Sequence, residues 1–128
     1  IDRVIDSAKS LLGTTYVWGG KTAEGLDCSG LVQRSYKAAG VNLPRDADQQ
    51  ALVGRMIATR WCRDLLRRGD VLFFLGRRGT VSHTAIYIGD GKYIEAAGSV
   101  KISNFDDASD ESGHRRAESF CFARRILE

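Results

Sequence analysis

Gly25-Leu26-Asp27-Cys28-Ser29-Gly30-Leu31-Val32-Gln33-Arg34-Ser35-Tyr36 reads as a cysteine set at the start of a helix. After Cys28, apolar Leu31, Val32, Tyr36 and Ala39 recur near helical spacing, Asp27 suits the cap and Gly40 the stop. Cys28 then falls in the first turn. There, unpaired backbone N–H groups and the positive end of the helix dipole favour a thiolate over a thiol. A lone cysteine more often fills a small buried core position, so a nucleophile reading requires a base elsewhere in the chain.

Working outward, Val4, Ile5, Ala8, Leu11 and Leu12 predict an amphipathic helix from Asp2 to Leu12, ended by Gly13. Thr14 to Lys21 predicts irregular backbone packed near Cys28, with Tyr16 either a site residue or an aromatic lid on the core. After the cysteine helix, Gly40 to Pro44 is a short turn. Asp46 and Gln49 form a capping pair for a further helix, whose buried stripe is Leu52, Val53, Met56 and Ile57 and whose exposed start carries Arg45 and Asp46. The period then changes. Arg68-Gly69-Asp70 is a turn, Val71 to Leu75 a buried strand, and Gly76 to Gly79 a basic loop. Ser82 to Ile88 and Lys92 to Ala97 are strands around Gly89-Asp90-Gly91, Val100 to Ile102 continues the sheet, and Ser119 to Ile126 closes it. Asn104 to Arg116 is a polar surface loop. Helices first and an antiparallel sheet afterwards make an α+β layout.

A chain of 128 residues is enough for one domain with a real core, so 1–128 is read as a single domain. Its 43% apolar and 27% charged content is that of a folded protein, and no apolar run reaches membrane-spanning length. The formal charge of +3 comes with basic residues in scattered pairs, without a nucleic-acid motif, so no nucleic-acid partner is expected. Cys28, Cys62 and Cys121 lack CxxC spacing, which suggests neither a zinc site nor a disulfide framework. No cofactor is expected. Starting at Ile1 without Met or a signal-peptide pattern, the chain reads as a trimmed form or one domain of a longer product.

Two histidines are available as the base. His114 lies in a loop of charges with Asp110, Glu111, Arg115 and Arg116, the setting of a surface residue. His83 opens a strand in which Thr84, Ile86 and Ile88 form one face and His83, Ala85 and Tyr87 the other. A two-residue loop at Asp90-Gly91 would set Glu95 opposite Ile86, a carboxylate on the apolar face. A three-residue loop, with a type I turn at Gly89-Asp90 and a left-handed Gly91, sets Ile86 against Ile94 and makes Glu95 a diagonal neighbour of His83. Glu95 is therefore expected to orient His83 and stabilise its imidazolium, and with it a Cys28 thiolate.

These residues resemble the NlpC-type family of papain-like cysteine peptidases, which cut bacterial cell-wall peptides. The resemblance runs through Tyr16-Val17-Trp18-Gly19-Gly20, Leu26 to Val32, Leu43 to Gln50, Arg68 to Phe74 and Ser82 to Gly91. It implies a papain-like fold, a nucleophile at Cys28, a base at His83 and a third polar residue at Glu95, where the family most often has His. Pro44-Arg45-Asp46 with Gln49-Gln50, and Ala97 to Ile102, look like the branch that cleaves γ-D-glutamyl to diamino-acid bonds in murein peptides with a free L-alanine amine. By that resemblance Asp27 holds the ammonium, Ser29, Arg45 and Asp46 contact substrate, and Tyr16 helps bind oxyanion or substrate. Members of that branch often carry SH3-like domains ahead of the catalytic one, and act at the cell envelope, in secreted form or in cytoplasmic murein recycling. A papain-like amidase or acyltransferase on another acyl compound, and a wall-binding relative with impaired catalysis, stand as alternatives.

Overall fold

The computed structural model describes residues 1–15, 21–22, 25–59, 62–76, 78–106 and 118–127. Helix α1 (Asp2–Ser10) buries Val4, Ile5 and Ala8 on one stripe, with Asp2 in its first turn and Lys9 in its last, each at the favourable end of the helix dipole. Past α1 the chain joins a sheet edge: Gly13 N–H donates to Val100 O at 2.8 Å and Val100 N–H to Thr14 O at 2.8 Å. Short strands β1 (Lys21–Thr22) and β2 (Gly25–Leu26) pair antiparallel and lead into α2 (Cys28–Lys37). Asp27 caps α2 with extended backbone, its carboxylate accepting from Gly30 N–H at 2.7 Å. Leu31, Val32 and Tyr36 turn inward, fully buried or nearly so.

The helix expected from Asp46 is a correction. Only one turn forms, α3 (Ala47–Gln50), without a side-chain cap from Asp46, and strand β3 (Arg55–Thr59) follows it. Leu52 and Met56 of the expected stripe are 80% and 49% exposed. Gly54 explains the break: its φ is +86°, and a Cβ there would lie 2.6 Å from Arg125 O. The chain reverses at that point to pair Arg55 with Arg125, while Arg124 Nε and Nη1 donate to Ala51 O at 2.9 Å and Gly54 O at 3.1 Å, satisfying carbonyls that a longer helix would have used.

The strands β4 (Val71–Leu75), β5 (Val81–Gly89), β6 (Lys92–Ala97), β7 (Ser99–Asn104) and β8 (Phe120–Arg125) complete a six-stranded antiparallel sheet in the order β3-β8-β4-β5-β6-β7. One set of alternate residues, Val71, Phe73, Ile86, Ile94, Ala96 and Val100, packs with Val4, Ala8, Leu31, Val32 and Tyr36 of the helices. The other set, Leu72, Phe74, Ala85, Tyr93, Phe120 and Ala123, packs with Phe105. Phe105 falls in the segment expected as a polar loop, and it is instead 6% exposed, its ring 4.8 Å from Tyr93 and 5.3 Å from Phe120. Residues 107–116 of that segment lie outside the described residues.

The β5–β6 hairpin reaches the expected register by another route. Ile86 pairs with Ile94 and Tyr87 with Tyr93, but Gly89 pairs with Lys92. Asp90 and Gly91 have φ of 56° and 76°, the signs of a type I′ turn, so the loop has two residues and Ile88 is the extra one in β5.

A buried ion pair locks the sheet to the turn before β4. Arg125 Nε and Nη2 donate to Asp70 Oδ1 and Oδ2, both at 2.9 Å, and Nη2 also to Leu65 O at 2.9 Å. Tyr36 O–H donates to the neighbouring Gly69 carbonyl, and burial together with the Asp70 charge pushes its phenol well above the ordinary range. Replacing Arg125 by Met strands a buried carboxylate and should cost about 3–5 kcal/mol, read as a lower urea midpoint by circular dichroism; a loss under about 1 kcal/mol would contradict this role.

Candidate active site

Asp27 places Cys28 in the first turn of α2, where Cys28 is 8% exposed and its Sγ lies 4.0 Å from the carbonyl oxygen of Ser82. Ser82 immediately precedes His83, so the helix start meets the first residues of β5. His83 is 6% exposed, with the Phe74 ring 5.3 Å away and tilted by 55°. Its Nε2 is 2.8 Å from Glu95 Oε1, and both side chains are buried. With Nε2 facing the carboxylate, the ring nitrogen that can serve a thiol is Nδ1.

The strand geometry produces this pairing. His83 and Glu95 project to the same face because β5 and β6 pair Ile86 with Ile94, the diagonal relation expected from the sequence. The sequence reading missed the next member. Ser103 O–H donates to Glu95 Oε2 at 2.5 Å, and Ser103 is 5% exposed. Since β6 pairs Glu95 with Lys101, Ser103 is the next diagonal neighbour, a signal available once Val100 to Ile102 was extended by two residues.

On the helix side, three of the residues expected to bind substrate converge. Asp27 Oδ1 accepts from Arg45 Nη1 at 3.1 Å and Oδ2 from Arg45 Nη2 at 2.9 Å, while Arg45 Nη1 also reaches Ser29 Oγ at 2.9 Å. Gln50 fixes the loop that carries Arg45: its Nε2 donates to Ser29 O at 3.0 Å and Pro44 O at 2.9 Å. Arg45 is thus drawn onto the first turn of α2 rather than standing at an exposed helix start. Asp46 is exposed beside it. Tyr16 and His114 lie outside the described residues.

The hydrogen bond to Asp27 raises the Arg45 guanidinium above its ordinary range; partial burial opposes this, and the charges of Asp27, Asp46 and Cys28 add to it. The last interaction is reciprocal. A thiolate that favours the guanidinium is favoured by it, and Arg45 also offsets the Asp27 carboxylate that would otherwise repel an anion at the next residue. A thiol at a helix N-terminus beside a strand whose imidazole is held by a carboxylate is the arrangement that nucleophilic acyl transfer needs.

Residues 13–115 match the NlpC/P60 family. The chain is 42% identical over 103 residues to a gamma-DL-glutamyl hydrolase of Bacillus subtilis (strain 168), covering 78% of this chain and 24% of that protein. It is 37% identical over 97 residues to a gamma-D-glutamyl-L-lysine dipeptidyl-peptidase of Bacillus cereus, covering 74% of this chain and 28% of that one. It therefore matches about a quarter of the length of each of these relatives. The crystal structure of an NlpC/P60 family protein from Bacillus cereus superposes with a TM-score of 0.84 at 34% identity, covering 99% of this chain and 40% of that one.

Replacing Arg45 by Gln should move the alkylation of Cys28 to higher pH, followed by site-resolved mass spectrometry with iodoacetamide. An unchanged profile would remove Arg45 from the electrostatics of the thiol.

Proposed function

The chain belongs to the NlpC/P60 family, and on that premise we propose that it is a cysteine endopeptidase, with residues 1–128 as one papain-like catalytic domain, hydrolysing γ-D-glutamyl to L-diamino acid bonds in murein peptides with a free N-terminal L-alanine. The observation that carries the reading is the buried 2.8 Å contact between His83 Nε2 and Glu95 Oε1, on a strand whose first residues meet Cys28. The γ-glutamyl chemistry in the names of two relatives supports the substrate class.

In this mechanism the Cys28 thiolate attacks the γ-D-glutamyl carbonyl carbon, and the carbonyl electrons move to oxygen. Cys28 N–H and Tyr16 are the proposed donors to that oxyanion. His83 protonates the departing amine as the tetrahedral intermediate collapses to a thioester. The neutral imidazole then takes a proton from water, which attacks the thioester and releases Cys28. Glu95 holds the ring and stabilises the imidazolium through both steps.

Asp27 is proposed to receive the free L-alanyl ammonium. A carboxylate offers about four acceptor sites, and Oδ2 has one described bond, to Arg45, so the ammonium adds to the cap rather than displacing it. Ser29, Arg45 and Asp46 complete the proposed binding set. The same reading puts the protein at the cell envelope or in secreted form, with cytoplasmic murein recycling as the other setting its substrate permits, and SH3-like modules ahead of this unit in a longer chain.

Cys28→Ala should abolish cleavage of L-Ala-γ-D-Glu-diamino acid peptides, followed by mass detection, while circular dichroism remains that of the parent; turnover in this variant would sink the assignment. Glu95→Gln should lower kcat/KM by about a hundredfold and move the basic limb of its pH profile downward, because an imidazolium without its carboxylate gives up its proton at lower pH. A profile with an unmoved basic limb would demote Glu95 to a packing role.

A further inference from the structure

The face of the sheet that carries His83 continues one strand further than the proposed mechanism uses. Glu95 Oε1 meets His83 Nε2 at 2.8 Å, and Glu95 Oε2 accepts from Ser103 O–H at 2.5 Å. His83, Glu95 and Ser103 are 6%, 2% and 5% exposed. They occupy three adjacent strands, β5, β6 and β7, and the line through them moves two residues along the sheet at each crossing. Each carboxylate oxygen therefore has a described protein partner. A Glu side chain has three torsions, so a single contact to the imidazole leaves its plane free to rotate. A second donor on the far oxygen removes that freedom.

We infer that Ser103 is a positioning residue for the His83–Glu95 pair: its hydroxyl fixes the carboxylate plane against His83 Nε2 and, by donating to the ionised form, keeps Glu95 a carboxylate that stabilises the imidazolium. The chemical reason is that a hydrogen bond offered to an anion favours the ionised form, so Glu95 keeps its charge while the second contact holds its plane against the imidazole. Other titratable groups share this surroundings. Cys28 lies at the α2 start against Ser82, Arg45 acts electrostatically on Cys28, Lys101 pairs with Glu95 across β6 and β7, and Tyr93 and Tyr87 stand on the same face. Among the described contacts, the donor to Glu95 Oε2 is Ser103. The inference rests on the proposed roles of His83 and Glu95, but its test needs no substrate.

The chain has only two histidines, so a His114→Asn comparison assigns the imidazole signals, and the His83 titration is followed by NMR in the intact protein. Ser103→Ala should lower the midpoint of His83 by about half a pH unit or more, and Ser103→Thr, which keeps the hydroxyl, should restore it. Ser103→Cys, which nearly keeps the volume and offers only a weak donor, is titrated beside Ser103→Ala, so a folding defect in one leaves the other to decide. In a Glu95→Gln background, Ser103→Ala should produce no further shift. An unmoved midpoint in the folded Ala or Cys variant, or a further shift in the Gln background, would overturn the inference. Absence of peptidase activity in the parent would count against the proposed function, and the titration would still decide the role of Ser103.

Discussion

Between the pairs Tyr87–Tyr93 and Gly89–Lys92, strand β5 carries one residue more than β6, and the placement of every polar group at the His83 end of the sheet follows from that extra residue, Ile88. Without it, Glu95 would stand opposite Ile86, on the face where Ile86 and Ile94 pack against Leu31, Val32 and Tyr36 of the helix. An unpaired carboxylate in that setting costs several kcal/mol, so the apolar core selects the bulged register. The same choice sends His83, Glu95 and Ser103 to one side together, since strand parity moves them as a set.

Helix α2 is tied to the sheet through its apolar stripe, and its first turn is held by polar contacts of a different kind. Asp27 takes the Gly30 N–H and the Arg45 fork at once, and Gln50 pins the Arg45 loop to Ser29 and Pro44. A capping carboxylate next to a nucleophilic cysteine is electrostatically awkward, because it favours the helix while opposing a thiolate. Arg45 resolves the conflict: its charge answers Asp27 and reaches Cys28 as well. In the proposed reaction the cap also becomes a recognition group, so stability, nucleophile and specificity meet at two consecutive residues.

Much of this was legible in the sequence because periodicity and local chemistry agreed. Helical spacing from Val4 and from Leu31, the alternation around His83, and the poor fit of Glu95 opposite Ile86 gave α1, α2 and the β5–β6 register. Residues 47–59 predict a helix because Leu52, Val53, Met56 and Ile57 fit a helical stripe, and they form one turn and a strand instead. Gly54 is the local stop signal that the stripe overrides, and what enforces it is tertiary, its close approach to Arg125 and the carbonyls taken by Arg124. The turn differs from the expected one because Asp90-Gly91, a favoured type I′ pair, does form the two-residue loop, and the residue that restores the register is Ile88 inside β5, which has no local signal. Phe105 is hidden by its polar neighbours, and Ser103 by a strand whose expected end falls two residues early. In both cases the partner lies on another strand.

In the proposed reaction Cys28 forms a covalent bond to the γ-D-glutamyl carbon of a murein peptide. Acid quenching during turnover of L-Ala-γ-D-Glu-diaminopimelate, followed by peptide-resolved mass spectrometry, tests it most directly. The expected result is an adduct with the mass of the L-alanyl-γ-D-glutamyl acyl group on the peptide that contains Cys28, lost on treatment with hydroxylamine. Cleavage that proceeds while every quenched sample carries an unmodified Cys28, or an adduct found on Cys62 or Cys121 instead, would contradict it.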